Sequence, residues 1–200
     1  AMRAHKNDLY IVGEYWSPDT GKLTHYLDAT DRSLSLFDVP LHFHFLEAAT
    51  SNGNYDMARL FSGTLTEADQ AHSVTFVDNH DTQPGQALCS LIPAWFKPIA
   101  YALILLRDVG TPCVFYGDYY GIPHDGVAPV PQLERLIKIR ECYAYCPEHL
   151  FFDDPSLTGF TREGDAEHPD SGVAVLLTDS TGGSKRMYVG ERLAGRRMVD

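Results

Sequence analysis

Three short apolar runs that each stop at a cluster of polar residues, with helix-like segments between them, constrain the architecture of this chain more than any other feature. Asp8 to Glu14 (DLYIVGE) is β-rich and ends in a carboxylate, and the turn residues SPDTGK follow it closely. Ser73 to Asp78 (SVTFVD) reads as a second buried strand and runs straight into NHDTQPGQ, whose Pro-Gly marks a loop. Pro93 to Arg107 is apolar enough for a buried helix; after the Gly110-Thr111-Pro112 break a third strand is expected at Cys113 to Tyr116, ending in GDYYG. QLERLIKIRECYAY, at 132–145, reads as a helix. Between Leu23 and Ala49 the pattern is mixed, with Phe37, Val39, Leu41, Phe43 and Phe45 alternating beside His42 and His44. Strand and buried helix stay open there, with helix favoured after Pro40.

Strand, polar loop and helix in alternation is the pattern of βα units on a parallel sheet, where functional groups collect at the carboxyl ends of the strands. After Pro147 the pattern changes to short alternating segments, LFFD, LTGFTRE, GVAVLLTD and KRMYVG, separated by Asp, Pro and Gly turns. That reads as a second, all-β unit. A closed (β/α)8 barrel takes about 250 residues, so residues 1–146 hold about half of one. Both units read as cut short, which suggests a fragment of a larger enzyme.

Composition narrows the partners. With 44% apolar and 12% aromatic residues a packed core is expected and disorder is not. Sixteen basic against 27 acidic residues give a net charge of −11, which argues against nucleic acid or an anionic membrane, since phosphate contacts need basic patches. The longest nearly apolar stretch, Pro93 to Leu106, is interrupted by Lys97 and Pro98 and is shorter than the roughly 20 residues that cross a bilayer. AMRAHKNDLYIVGEYW lacks the apolar core of a signal peptide. Cys89, Cys113, Cys142 and Cys146 match no zinc spacing and read as free thiols in core or helix positions, which leans toward a reducing compartment.

Among the polar residues, Glu14 stands between Ile11-Val12-Gly13 and Tyr15-Trp16, an apolar and aromatic setting whose desolvation suits a carboxyl to donate a proton near neutrality. Asp81 belongs to the cluster Asp78-Asn79-His80-Asp81, whose density of donors and acceptors suits sugar hydroxyls or a metal. His42 and His44 have a strand-like spacing that places two imidazoles on one face, but without a third ligand they read as structural. Asp118 in YGDYYG is open between touching a substrate at a strand mouth and capping the loop that follows. Trp95, Tyr119 and Tyr120 read as core or rim packing.

FVDNHDTQPGQ at 76–86 together with VGEYW at 12–16 resembles the α-amylase family of glycoside hydrolases. FDVPLHFHF at 37–45, YDMARLFSGT at 55–64, WFKPIAYALIL at 95–105, VFYGDYYGI at 114–122, TREGD and KRMYVG extend the likeness over nearly the whole chain, toward the bacterial liquefying and cytoplasmic types. The resemblance implies an α/β fold class: the C-terminal half of a (β/α)8 TIM barrel, fifth to eighth units, at residues 1–146, then part of an all-β Greek-key domain, a partial C-terminal β-sandwich, at 147–200. By the same resemblance Glu14 is the general acid/base and Asp81 the carboxylate that stabilises the distorted sugar. His80 is then the histidine that binds its hydroxyls, with Tyr15, Trp16, Asn79 and Gln83 as lesser substrate-binding residues. The implied reaction is retaining hydrolysis of internal α-1,4-glucosidic bonds of starch, glycogen or maltodextrin, with two carboxyls roughly 5 to 5.5 Å apart across the bond. The family's nucleophile is an Asp in a Gly-x-Arg-x-Asp-Ala type motif, and no such motif precedes Glu14. The isolated chain is therefore expected to be inactive.

Further expectations follow from the same likeness. Calcium (Ca2+) is expected in the parent enzyme, mainly outside these residues. Gly53, Tyr55 and Asp179 match a secondary site of some relatives, but Pro155 and Ser156 stand where those relatives place His and Asp, so no metal ligand is assigned here. The expected partner is an α-glucan oligosaccharide or polysaccharide, with self-association of the half barrel through its open strand edges. The compartment expected is cytoplasmic, with secretion as the alternative. A related α-glucan transglycosylase and a non-catalytic glucan-binding module are the rival functions; an isolated proton donor such as Glu14 has no purpose in a pure binder.

Overall fold

The computed structural model describes residues 9–145 and 147–199. Four short strands form a parallel sheet: β1 (Val12–Gly13), β2 (Ser35–Phe37), β3 (Ser73–Phe76) and β4 (Thr111–Cys113). Each pairs with the next in sequence, Val12 beside Ser35, Leu36 beside Ser73 and Phe76 beside Cys113. Parallel neighbours need a crossover, and the helices supply it: α1 (Thr20–Ala29), then α2 (Val39–Thr50) and α3 (Leu65–Ala68), then α4 (Lys97–Leu106). All four carboxyl ends consequently lie on one edge of the sheet.

Local chemistry starts these helices. Asp19 caps α1 by accepting from Gly21 N at 2.9 Å and Lys22 N at 3.3 Å. The carboxylate of Asp38 caps α2 through Leu41 N at 3.1 Å, and also accepts from Leu65 N and Thr66 N, so one buried side chain ties two helix starts together. Pro40 sits in the first turn of α2 and Pro98 in that of α4, where a missing N–H costs nothing. This is why the apolar stretch that begins at Pro93 becomes helical only from Lys97.

Several expectations change here: among the described residues the first strand covers only Val12–Gly13 of DLYIVGE and the second only Ser73–Phe76 of SVTFVD. The mixed segment holds a strand that periodicity did not reveal, β2, before the helix after Asp38. The third strand stops at Cys113, where its pairing with Phe76 ends, and Tyr116–Tyr120 turns into a short helix, α5. Gly117 is needed at that bend: a Cβ there would meet the Phe115 ring at 2.5 Å.

α6 (Leu133–Tyr143) leads to an antiparallel sheet of β5 (Glu148–Phe151), β6 (Leu157–Arg162) and β7 (Val173–Thr178). KRMYVG is not a strand; it lies against the sheet with Tyr188 O accepting from Thr161 Oγ1 at 2.6 Å. Phe160 and Val175 join Phe45, Phe96, Tyr101 and Leu103 in one continuous apolar core that runs from the helices into this sheet. Arg107 reinforces the junction, its guanidinium 4.3 Å from the Phe61 ring centre and 3.3 Å from Glu148. Cys142 is a free thiol on helix α6, as expected, though exposed; Cys89 is an exposed free thiol in a turn, neither core nor helix; Cys113 is half-buried, and Cys146 lies outside the described residues.

Candidate active site

β1 ends directly in Glu14. Gly13 packs closely on the neighbouring strand, where a Cβ would stand 3.0 Å from Leu36 Cδ2. Glu14 and Tyr15 are exposed, so the desolvated pocket expected around this carboxyl is absent among the described residues. The reason is topological, because β1 has a partner strand on one side only and nothing described covers the other. Tyr15 stacks on Tyr26 of α1 with ring centres 5.0 Å apart, above a cleft of about 430 Å³ that Asp19, Lys22 and His25 also line. Trp16 is half-buried, its ring 5.9 Å from Phe76 and 5.8 Å from His42.

β3 delivers the second cluster to the same edge, with β2 between them. Asn79 shapes the turn that follows: its side-chain oxygen accepts from Asp81 N and Thr82 N, each at 2.9 Å. Thr82 closes the turn by accepting from Asn79 N at 3.0 Å. The result presents His80 and Asp81 outward, 71% and 34% exposed at the side chain and 3.5 Å apart. Gln83 opens the next turn, Gln83 to Gln86, with Gly85 in the left-handed region at φ 79°.

Behind this turn lies a charged cluster that sequence reading missed. Asp78, Lys97 and Asp118 are all buried, and Lys97 Nζ reaches Asp78 Oδ2 at 2.8 Å and Asp118 Oδ1. Tyr101 donates its hydroxyl to Asp118 Oδ2 at 2.6 Å, while Asp78 Oδ1 accepts from Thr82 Oγ1 at 2.9 Å and Ile92 N at 3.2 Å. Burial pushes the Asp78 carboxyl up to about 6; Lys97 pulls it down, and Asp118, which shares the same ammonium, pushes it up. The available signal was Lys97 itself, a lone charge in an otherwise apolar helix.

Other candidates find their places in the interior. The Asp118 side chain is consumed by Lys97 and Tyr101 and is not free for a substrate, while its backbone carbonyl accepts from Val130 N at 2.7 Å and so closes the loop that follows. His42 and His44 sit two apart on a helix, not on a strand, and so do not share a face. His42 Nδ1 donates to Val77 O at 2.7 Å, Nε2 faces Ser90 Oγ at 2.9 Å, and the ring stacks on Phe76 at 5.2 Å. Burial lowers its pKa to about 4 and keeps it neutral. Trp95 and Tyr120 are exposed rim residues, and Tyr119 packs against the core.

No group of three or more His, Cys, Asp or Glu able to hold a metal occurs among the described residues. Asp179 is one half-formed corner of a site: both carboxyl oxygens are shielded without a partner, and Gly53 lies against its backbone carbonyl. A single carboxylate falls short of the six to eight oxygens calcium takes, and the Pro155 carbonyl is occupied by Met57 N at 2.7 Å. These residues do not by themselves fit a calcium ion.

No family model matches the chain. The α-amylase of Geobacillus stearothermophilus is 50% identical to it over 193 residues, which is 96% of this chain and 35% of that protein. The chain belongs to the α-amylase family. Among other α-amylases, the cytoplasmic α-amylase of Escherichia coli K12 is 42% identical over 203 residues, 96% of this chain and 41% of that one. The chain thus spans well under half the length of these amylases. A solved cyclomaltodextrin glucanotransferase of three-domain ABC distribution superposes with a TM-score of 0.60 at 18% identity, covering 88% of this chain and 40% of its own. At that identity the likeness speaks for the fold alone.

Proposed function

We propose that the chain is part of a retaining α-glucan hydrolase, an α-amylase acting on internal α-1,4 bonds of starch, glycogen or maltodextrin. The observation that carries this reading is the position of Glu14 and the Asn79–Gln83 segment at carboxyl ends of strands in one parallel sheet, in a chain up to 50% identical to named α-amylases. In this reading residues 1–146 are the second half of a (β/α)8 barrel and 147–200 part of a Greek-key β domain.

Glu14 donates its proton to the glycosidic oxygen as the bond to the anomeric carbon breaks, and takes a proton from water in the second half-reaction. Asp81 stabilises the positive charge that develops on the distorted ring, and His80 binds its hydroxyls. Tyr15, Trp16 and Gln83 line the sugar path, and Asn79 serves by shaping the turn. The covalent intermediate forms on a carboxylate that is not among these 200 residues. A full site encloses Glu14 and supplies the desolvation its exposed position here lacks. Calcium belongs to the complete enzyme, outside the described donor sets. The unpaired sides of β1 and β4 support association with further strands, those of a second half barrel or of another copy. No helix of the described residues is long and apolar enough to cross a membrane; the cytoplasmic assignment rests on the relative so named.

The test compares reducing-sugar release from soluble starch by the 200-residue chain and by a form extended upstream to the length of its relatives. Activity confined to the longer form is expected. Turnover by the short chain would mean that the nucleophile has been sought in the wrong place.

A further inference from the structure

We propose that Lys97 is a positioning residue for Asp81: by bridging Asp78 and Asp118 in the interior it fixes, through Asp78 and Thr82, the turn that presents Asp81 and His80. This rests on the assignment of Asp81 as the stabilising carboxylate.

The argument follows an unbroken chain of polar contacts. Asp118 is anchored on its two oxygens by Lys97 and Tyr101, both on α4, so the beginning of that helix is tied to α5. Lys97 then holds one oxygen of Asp78 at 2.8 Å, leaving the other free to accept from Thr82 Oγ1 at 2.9 Å and Ile92 N at 3.2 Å. Thr82 Oγ1 accepts in turn from Asn79 N at 3.0 Å, and Asn79 Oδ1 accepts from the backbone N–H of Asp81 at 2.9 Å. From the buried ammonium to the amide of Asp81 no link is missing. The Asp78 carboxylate is the pivot, one oxygen facing the interior charge and the other facing the turn.

Given Asp78 and Asp118, the lysine is required, but packing alone gives no reason for the charged trio: α4 is otherwise apolar, and apolar groups of similar volume commonly replace all members of a buried ion pair together at no loss of stability. What an apolar residue cannot do is hold one carboxylate oxygen in a fixed direction. A stabilising carboxylate must be held within a fraction of an ångström of its productive geometry, and displacement of about 1 Å costs up to ~100-fold in rate. Thr82 carries that constraint across 15 residues from Lys97 without itself reaching the exposed face.

The experiment uses the full-length protein that carries this segment, with steady-state kinetics on a maltooligosaccharide. Thr82→Val removes the link between Asp78 and the turn while leaving the buried charges intact; Thr82→Ser keeps the hydroxyl; Lys97→Met removes the bridge; Asp81→Asn tests the assignment beneath. The expected result is loss of turnover in Asp81→Asn, with kcat lowered about tenfold or more in Thr82→Val at a KM within about twofold. Thr82→Ser recovers most of it, and Lys97→Met behaves as Thr82→Val. If Asp81→Asn is inactive while folded Thr82→Val has the wild-type kcat, the proposal is overturned and the assignment of Asp81 stands. Wild-type turnover in Asp81→Asn overturns both. Should Lys97→Met not fold, the Thr82 pair decides.

Discussion

Lys97 Nζ stands 2.8 Å from Asp78 Oδ2, with the two side chains 3% and 0% exposed, 19 positions apart in sequence, one at the start of α4 and the other in the loop after β3. Two carboxylates and one ammonium inside an apolar core are tolerable only because nearly every oxygen has a donor: Lys97, Tyr101, Thr82 and the Ile92 amide. Removing the ammonium leaves both carboxylates without it. Lys97→Met is therefore expected to lower the unfolding free energy by about 3–5 kcal/mol. Urea unfolding at neutral pH measures it; a loss below about 1 kcal/mol would show the pair to be energetically idle.

Asp38 is the second buried carboxylate with several dependents. It accepts from the amides of Leu41, Leu65 and Thr66 and from Thr66 Oγ1 at 2.6 Å. Asp38→Ala orphans these donors where water does not reach, and each orphan costs about 1–3 kcal/mol. A destabilisation of roughly 3 kcal/mol or more is expected, visible as a lower melting temperature. An unchanged melting curve would mean that the helix starts do not depend on this cap.

His42 makes stability depend on pH. Its folded pKa is about 4 against 6.5 for the free side chain, so between these values the unfolded chain binds more protons than the folded one. The contribution is complete above pH 6.5 and is lost as pH falls toward 4, amounting to about 3 kcal/mol in full. Asp78, raised to about 6, acts with the opposite sign in an overlapping window, so the wild-type profile shows only the difference. His42→Gln isolates the histidine: its deficit relative to wild type should shrink on going from pH 7 to pH 4.5. A deficit that is the same at both pH values contradicts a neutral, buried His42.

Asp179 behaves differently, because its carboxyl oxygens have no partner and burial raises its pKa. A carboxyl whose folded pKa is raised binds its proton more tightly when folded, so stability falls as pH rises through the carboxylate range. Asp179→Asn should match or exceed the wild-type melting temperature at pH 7, and the advantage should vanish in acid. A marked loss at pH 7 would point to a cation held there in solution.

Glu14→Gln in the full-length protein tests the proposed chemistry. General acid–base catalysis contributes about 10²–10⁴-fold, so hydrolysis should fall by that order while oligosaccharide binding, followed by calorimetry, survives. Undiminished turnover would remove Glu14 from its proposed role.

What the sequence determined by itself was everything encoded among near neighbours. The change from βα alternation to short β segments near Pro147, a strand starting at Ser73, the lean to helix after Pro40 and the location of Glu14 and Asp81 just beyond strand ends follow from periodicity, Pro and turn residues a few positions apart. β2 escaped because Ser35–Phe37 is too short to show a period, and the third strand was placed too late because its end is set by the register with Phe76, not by its own composition. Only the tertiary structure decided the buried partnership of Asp78, Lys97 and Asp118, since an ion pair depends on which elements the sheet brings side by side. It also leaves Glu14 exposed among the described residues, on an edge strand of a chain that spans well under half the length of its relatives. Desolvation is a property of what packs around a group from elsewhere in the fold, and the apolar residues beside Glu14 in sequence do not provide it.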